Sequence, residues 1–421
     1  MLALLVIAFV ICLLLRFPIA FALGISCLVY LLASGTPLIV VPMKLYSGID
    51  VFVLLSVPGF ILAGNLMNAG GLTTKIINFC NHLFGHIRGG LALANVGTSM
   101  LFAGISGTAI SDTASIGAVM IPAMKKEGYD GDFAAAITAV SSTVGPIIPP
   151  SVPMIIAATL SGLSVGKLFL AGVIPGLLLG LGMMGVAYVI SRRRNYPKRP
   201  RSSFRQIGRS FIDTFWALLM TAIILFGIIG GVFTPTEASV IAVVYALLVG
   251  LFVYRKLNWK RILVITIDSM KVSASLMVII GFANLFGWIL ITEQFPQWIS
   301  AEITALTTNK YAVLLLINLL LIVVGTFMET VAALLILFPI LLGVATGVGV
   351  EPIHFAVIAV LNLVIGLTTP PLGICLFVAA GIGKESIGSV SRASLPFLAC
   401  NLAVLAVVTL VPGVCLWLPG L

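Results

Sequence analysis

Residues 104–115 read Gly104-Ile-Ser-Gly-Thr-Ala-Ile-Ser-Asp-Thr-Ala-Ser115. The stretch is small and hydroxyl-rich, and it carries one acid, Asp112. Apolar runs flank it, at 91–102 and 116–124. Neither run has the ~20 residues that a membrane crossing needs. The economical reading is a re-entrant hairpin: one half-helix in, a polar tip at membrane depth, one half-helix out. Non-helical backbone at that depth is tolerated only where protein or a water-filled site surrounds it. An ionisable residue there points to a functional site.

The rest of the chain supplies the membrane context. Of its 421 residues, 60% are hydrophobic and 9% charged, and the mean hydropathy is +1.23. That composition excludes a soluble domain and predicts an all-α polytopic membrane protein, with room for roughly a dozen spanning or re-entrant segments. The net charge of +10 does not indicate nucleic acid. The basic residues sit in short loops between apolar runs, where they orient a membrane protein. Six scattered cysteines show neither metal-ligand spacing nor a disulfide framework. His82 and His86 share a helix face, but no acid or cysteine joins them as a metal site. The run 1–15 has no basic flank, so it reads as a retained span and not as a cleaved signal.

Spans are expected at 1–15 and 18–33, with Arg16 at the turn, and at 51–67. A polar-faced segment, 72–88, reads as an interfacial arm. The hairpin occupies 91–124. A second interrupted helix follows, 133–160, broken by Gly145-Pro-Ile-Ile-Pro-Pro150, since three prolines in six residues do not fit an intact helix. A span at 168–190 leads into the strongly basic stretch 191–210. After it come spans at 211–230 and 239–254, a basic arm at 255–271, a span at 272–291 and a polar arm at 292–310. A second hairpin, 311–342, turns at Gly325-Thr-Phe-Met-Glu-Thr330, and a second broken helix, 355–382, breaks at Gly366-Leu-Thr-Thr-Pro-Pro371. The last span is 394–416.

The two halves repeat. Asp112 lies ten residues before Pro122, and Glu329 ten before Pro339. Gly145 and Gly366 each stand four residues before a Pro-Pro pair. The domain plan is therefore a first repeat at 1–190, a cytoplasmic linker at 191–210 and a second repeat at 211–421. If the linker is cytoplasmic, only Lys44, Lys167 and Lys310 of the 23 Lys and Arg residues fall outside. The same count puts the two repeats in opposite orientations. The first hairpin enters from the cytoplasm, the second from outside, and both termini lie outside.

Inverted repeats with matching broken helices are a signature of secondary transporters. A half-helix N-terminus suits an anionic group, and half-helix C-termini with unwound carbonyls suit a small cation such as sodium. The candidate residues for sodium and substrate are Ser106, Gly107, Ser111, Asp112, Thr113, Gly145 and Pro149 in the first half. In the second they are Gly325, Thr326, Met328, Glu329, Thr330, Gly366 and Thr369. The glycines and Pro149 would act through backbone carbonyls, and Ser111 and Thr113 through hydroxyls. Each also has a plainer role. Small residues pack membrane helices closely, the prolines kink them, and Asp112 and Glu329 suit the N-terminal caps of their second half-helices. Capping is the role favoured for both acids, with cation contact second. No cofactor is expected, and no metal other than sodium at these same residues.

The chain resembles, over essentially its whole length, the large membrane subunit of TRAP (tripartite ATP-independent periplasmic) transporters. The local match that carries this is Gly231-Val-Phe-Thr-Pro-Thr-Glu-Ala238, supported by the order of Ser106-Gly107, Gly145–Pro150 and Thr368-Thr-Pro-Pro371. On its own, 234–238 reads as a capped helix start, with Thr234 as cap, Pro235 first and Glu237 third. The resemblance implies a sodium-driven importer in the bacterial inner membrane that takes organic anions bearing a carboxylate. It implies two protein partners: an extracytoplasmic substrate-binding protein, and a small four-helix membrane subunit expected as a separate chain because no further spans precede Met1. By likeness to elevator transporters, the hairpins and broken helices would form the moving domain.

Two other readings compete. A stand-alone sodium–dicarboxylate symporter would have similar hairpins and no binding protein. An intramembrane hydrolase using Ser106 or Ser111 would need a base, and His354, the one histidine near a span, is expected at the outer end of a helix. With no base placed for either serine an enzyme is not expected, and with no nucleotide-binding motif neither is an ATP-driven pump.

Overall fold

The computed structural model describes residues 1–15, 17–295, 298, 302 and 309–420, and the backbone alone at 104–106. Arg16 and most of the polar arm at 292–310 therefore lie outside the described residues. All regular structure among the described residues is helical. The first half contains α1 (Leu2–Leu14), α2 (Ile19–Ser34), α3 (Val40–Ile49), α4 (Ser56–Ala69), α5 (Leu72–Phe84), α6 (Gly90–Ser106), α7 (Ala109–Lys126), α8 (Gly131–Ser141), α9 (Val152–Ser161) and α10 (Val165–Arg193). The second contains α11 (Phe204–Ile229), α12 (Pro235–Leu248), α13 (Trp259–Thr292), α14 (Lys310–Phe327), α15 (Thr330–Gly347), α16 (Pro352–Gly366), α17 (Ile374–Gly383), α18 (Ile387–Leu410) and the short α19 (Gly413–Leu416). Eight helical segments among the described residues are long and apolar enough to cross a membrane. The expected all-α polytopic architecture, with two helical hairpins (α6–α7, α14–α15) and two broken helices (α8–α9, α16–α17), is the one the chain adopts.

Many of the helix starts are fixed by local chemistry. Ser203 and Gln206 form a reciprocal capping box on α11, and Thr234 and Glu237 form another on α12, as residues 234–238 predict. Asn258 accepts the Arg261 amide at 2.8 Å to start α13. That helix then runs for 34 residues without a break. The expected division into an arm at 255–271 and a span at 272–291 is thus replaced by one helix. Asp268 and Lys271 make the first part polar, but no glycine or proline falls between Trp259 and Ile280 to end it.

The two halves share one register. Helix ends recur at a fixed interval of 221 residues: Ser106 and Phe327, Ala109 and Thr330, Lys126 and Gly347, Gly131 and Pro352. Gly145 and Gly366 keep the same interval, as do the cis pairs Pro149-Pro150 and Pro370-Pro371. This register corrects the pairing of Asp112 with Glu329. The counterpart of Glu329 is Thr108, since both are N-caps, and the counterpart of Asp112 is Ala333. Pro122 and Pro339 misled because they lie inside their helices. A kink moved by about one turn stays on the same face, whereas a helix end is tied to the break beside it.

Burial places the broken helices at the centre. α8 is buried from Phe133 to Ser141, and α16 from His354 to Gly366. Both are apolar all round, the pattern of a helix enclosed by others. The halves interlock around them: α17 packs on α7 and α8, and α15 packs on α9. Outside this core, α1 pairs with α2, α3 with α13, α4 with α12 and α5 with α11. Large apolar side chains on the outer helices, such as Leu14, Ile212, Phe226 and Leu315, are exposed, as lipid-facing positions are.

A clasp joins the loop after α7 to the stretch after α10. Asp130 accepts hydrogen bonds from Arg194 and from the Tyr196 hydroxyl, each at 2.6 Å, and Arg199 pairs with Glu127. The Tyr196 bond, with help from Arg194, holds the Asp130 carboxyl below the usual carboxylate range, while burial pushes the Tyr196 hydroxyl up to about 12.

Candidate functional site

The first hairpin turns in two residues. Gly107 takes a left-handed φ of 64°, Thr108 is extended, and α7 begins at Ala109. The expected polar tip of 104–115 is thus much shorter. Ser111, Asp112 and Thr113 are helical, because nothing after Gly107 breaks a helix. Gly107 is required twice over. Its φ disfavours any other residue, and an added Cβ would stand 3.1 Å from the Pro150 carbonyl oxygen. The hairpin tip therefore touches the first helix break.

Asp112 lies on the first turn of α7, the fourth residue in, and is fully buried. The cap position belongs to Thr108 instead, so Asp112 is not the cap that was expected. Its carboxylate oxygen Oδ2 lies against Gly145, leaving no room for a side chain there. Thr113 Oγ1 stands 2.7 Å from Ser142 Oγ, and Ser99 pairs with Ser141 at 2.9 Å. Ser111 is half-buried on the same turn of α7, and Pro149 is buried inside the break. Ser106 ends α6, and its side chain lies outside the described atoms.

The second hairpin is built differently. α14 ends at Phe327, Met328 is extended, and Glu329 caps α15 by accepting the Val331 and Ala332 amides at 2.8 and 3.2 Å. The capping role expected of Glu329 is therefore what the geometry shows. Gly325 and Thr326 belong to the last turn of α14. Gly325 packs directly on Gly366, and an added Cβ at Gly325 would also stand 3.0 Å from the Leu363 carbonyl oxygen. Thr326 donates to Val323 and Thr369 to Ile365. A hydroxyl that donates to a carbonyl keeps its lone pairs, so both remain able to face a cation. Thr330 is buried, and its Oγ1 has no hydrogen-bond partner among the described residues.

One residue that sequence reasoning missed links the two halves. Cys375 is fully buried on the first turn of α17, the second-half helix that packs on α7 and α8 of the first half. Its first-half counterpart in the shared register is Met154. A scattered cysteine in an apolar run gives no signal, and only the repeat register would have pointed to it. Two asparagines were missed as well. Asn362 donates to Asn318 Oδ1 at 2.6 Å, and Asn318 to Thr409 at 3.1 Å, which ties the second broken helix to its hairpin. Their signal was an amide inside an otherwise apolar run. His354 is packed away, with Nε2 2.7 Å from the Val408 carbonyl oxygen.

Each half brings a hairpin turn against a helix break, and Cys375 lies where the halves join. The donors gathered are carboxylate, hydroxyl and backbone carbonyl oxygens, the hard ligands that a small cation takes. Among the described residues no group of three His, Cys, Asp or Glu side chains forms a metal cluster.

Comparison with known proteins agrees with this architecture. The profile of the family "Tripartite ATP-independent periplasmic transporter, DctM component" matches residues 6–414. The chain is 41% identical to the sialic acid TRAP transporter large permease protein SiaM of Vibrio cholerae, over 96% of this chain and 95% of that one. It is 42% identical to the C4-dicarboxylate TRAP transporter large permease protein DctM of Pseudomonas aeruginosa, over 95% and 94%. It is also 41% identical to the isethionate TRAP transporter permease protein DctMQ of Oleidesulfovibrio alaskensis, over 96% of this chain but only 64% of that longer protein. In fold it is similar to the crystal structure of the Alcanivorax borkumensis YdaH transporter, with a TM-score of 0.67 at 15% identity, covering 90% of this chain and 88% of that one. With a sequence match along nearly its entire length and the hairpin-and-break architecture to go with it, the chain belongs to the DctM component family of tripartite ATP-independent periplasmic transporters.

Proposed function

We propose that this large permease imports a carboxylate-bearing organic anion by sodium symport, through an elevator-type alternating-access movement. The observation that carries the reading is that each half sets a hairpin turn against a helix break, Gly107 against Pro150 and Gly325 against Gly366. Sodium would sit among the hydroxyl and carbonyl oxygens at Ser106, Ser111, Thr113, Gly145 and Pro149, and at Gly325, Thr326, Gly366 and Thr369. The anion would sit between them, facing the half-helix N-termini at Ala109 and Thr330. Asp112 contributes charge beside Gly145, whereas Glu329 is engaged by its cap.

In this reading residues 1–190 and 211–421 are inverted repeats joined by the cytoplasmic linker 191–210, and both termini face outward. The protein stands in the bacterial inner membrane. It works with a small four-helix membrane subunit and with an extracytoplasmic binding protein that delivers the solute. The related permeases named for sialic acid, C4-dicarboxylates and isethionate all handle organic anions. Coupling is energetically sufficient. Each net positive charge moved inward yields about 2.3 kcal/mol per 100 mV. At about 1.4 kcal/mol per tenfold, that is roughly a 50-fold concentration ratio.

The test is uptake against sodium concentration in proteoliposomes holding the complete complex, for the unaltered chain and for Asp112→Ala, Thr369→Ala and Gly145→Val. Each variant is expected to need more sodium or to lose uptake. Three variants that behave like the unaltered chain would sink the site assignment, and sodium-independent uptake would sink the coupling.

A further inference from the structure

A second chamber lies apart from the turns and breaks. It encloses about 450 Å³ between the outer helices α3 and α13 and the half-helices α9 and α15. Most of its wall is aliphatic, but its polar groups are selective: Lys44, Ser47, Asn284, Trp288 and Thr159. No Asp or Glu lines it, and Lys44 forms no salt bridge among the described residues.

Lys44 is held in place. Asn284 donates to its carbonyl oxygen at 2.8 Å. Gly48 and Gly281 let α3 and α13 approach so closely that an added Cβ would stand 2.6 Å from Asn284 Cβ and 3.1 Å from Leu45 Cδ2. The ammonium lies 5.4 Å over the Trp288 ring. A half-buried cation resting on an indole is positioned but not neutralised, and a carboxylate can still take its free N–H donors.

The chamber shares two half-helices with the site. Ile156 in its wall is the fifth residue of α9, and Leu335 is the sixth of α15. At 1.5 Å per residue the wall begins about 6–9 Å along each half-helix from its break or turn.

We propose that this chamber is a waypoint for the transported organic anion, in which Lys44 pairs with the carboxylate while Asn284, whose amide donates to the Lys44 carbonyl and to Ser47, braces the turn that carries it. It rests on the transport reading above and adds a binding step outside the sodium-bearing turns. A mostly apolar wall with one fixed cation suits a small organic acid, whose body is covered while its charge is met.

The test uses the complete complex in membranes. Ser47→Cys, in a chain also carrying Cys400→Ser because the other five cysteines are buried, is labelled with a membrane-impermeant maleimide. Succinate, N-acetylneuraminate and isethionate are offered as protectants, and uptake of the same three is measured. We expect at least one to slow labelling. Lys44→Gln should abolish that protection and raise the KM for uptake of that anion about tenfold or more, while its sodium dependence stays unchanged. Lys44→Arg should restore both. Protection that persists in Lys44→Gln, or labelling that follows lipid chain length and ignores the anions, overturns the waypoint while normal uptake leaves the transport reading standing. An unaltered complex that takes up none of the three anions overturns both.

Discussion

Gly325 and Gly366 meet backbone to backbone: a Cβ on Gly366 would stand 2.5 Å from the carbonyl carbon of Gly325. The second hairpin is docked on the second helix break at this point, and no side chain fits between them. Gly366→Ala is expected to force the two apart at a cost of about 1–3 kcal/mol, as overpacking does. Gly343→Ala, in the interior of α15 with open space around it, should be neutral or stabilising by up to about 1 kcal/mol. Thermal unfolding in mild detergent separates the two, and equal effects would show that the contact is not what matters.

Glu329 caps α15 through two backbone amides. Glu329→Ala removes the acceptor and should cost about 0.5–2 kcal/mol, whereas Glu329→Gln keeps a carbonyl oxygen and should cost less. If Glu329→Gln proves as damaging as Glu329→Ala, in stability and in uptake, then its charge and not the cap is what the hairpin needs.

Thr113 and Ser142 link the first hairpin to the first break through a 2.7 Å hydroxyl pair. A double-mutant cycle of Thr113→Val and Ser142→Ala should give a coupling of about 0.6 kcal/mol and no more than about 2, the range for hydrogen bonds between membrane helices. Additive effects would mean that the pair contributes nothing.

The clasp at Asp130 predicts an acid response. Its carboxyl titrates lower in the folded chain than the ordinary value of about 3.9, so its stabilisation is present above that pH and is lost as pH falls through the folded value. Asp130 is 55% exposed, which limits the effect to less than about 1 kcal/mol. Melting temperatures of the unaltered chain and Asp130→Asn should converge as pH drops from 6 toward 3, with the unaltered chain higher at pH 6. A gap that stays constant with pH would rule out the ion pair.

Much of this was legible in the sequence because helix breaks announce themselves. Gly145-Pro-Ile-Ile-Pro-Pro150 and its partner at 366–371 cannot be helical, and Thr234-Pro-Thr-Glu-Ala238 carries its cap in its letters. The turn of the first hairpin was read too long, because serine, threonine and aspartate are compatible with either a loop or a buried helical turn that packs on polar neighbours. The continuity of α13 was hidden by its charges, which signal exposure and not a helix end. Cys375 was invisible, and Asn362 showed only as an amide in an apolar run, because their significance comes from which helices cross beside them, and crossing partners are set by tertiary packing.

The shared register has a further consequence. The two hairpins share their helix ends, yet the first keeps its acid on the fourth residue of its second helix and the other keeps it at the cap. Four residues along a helix is about 6 Å. The first carboxylate is therefore set that much deeper along its own axis, while the second is tied to the helix start by its cap. The two hairpins are thus an unlike pair within one polypeptide, and transplanting residues 108–113 into 329–334 would exchange their characters.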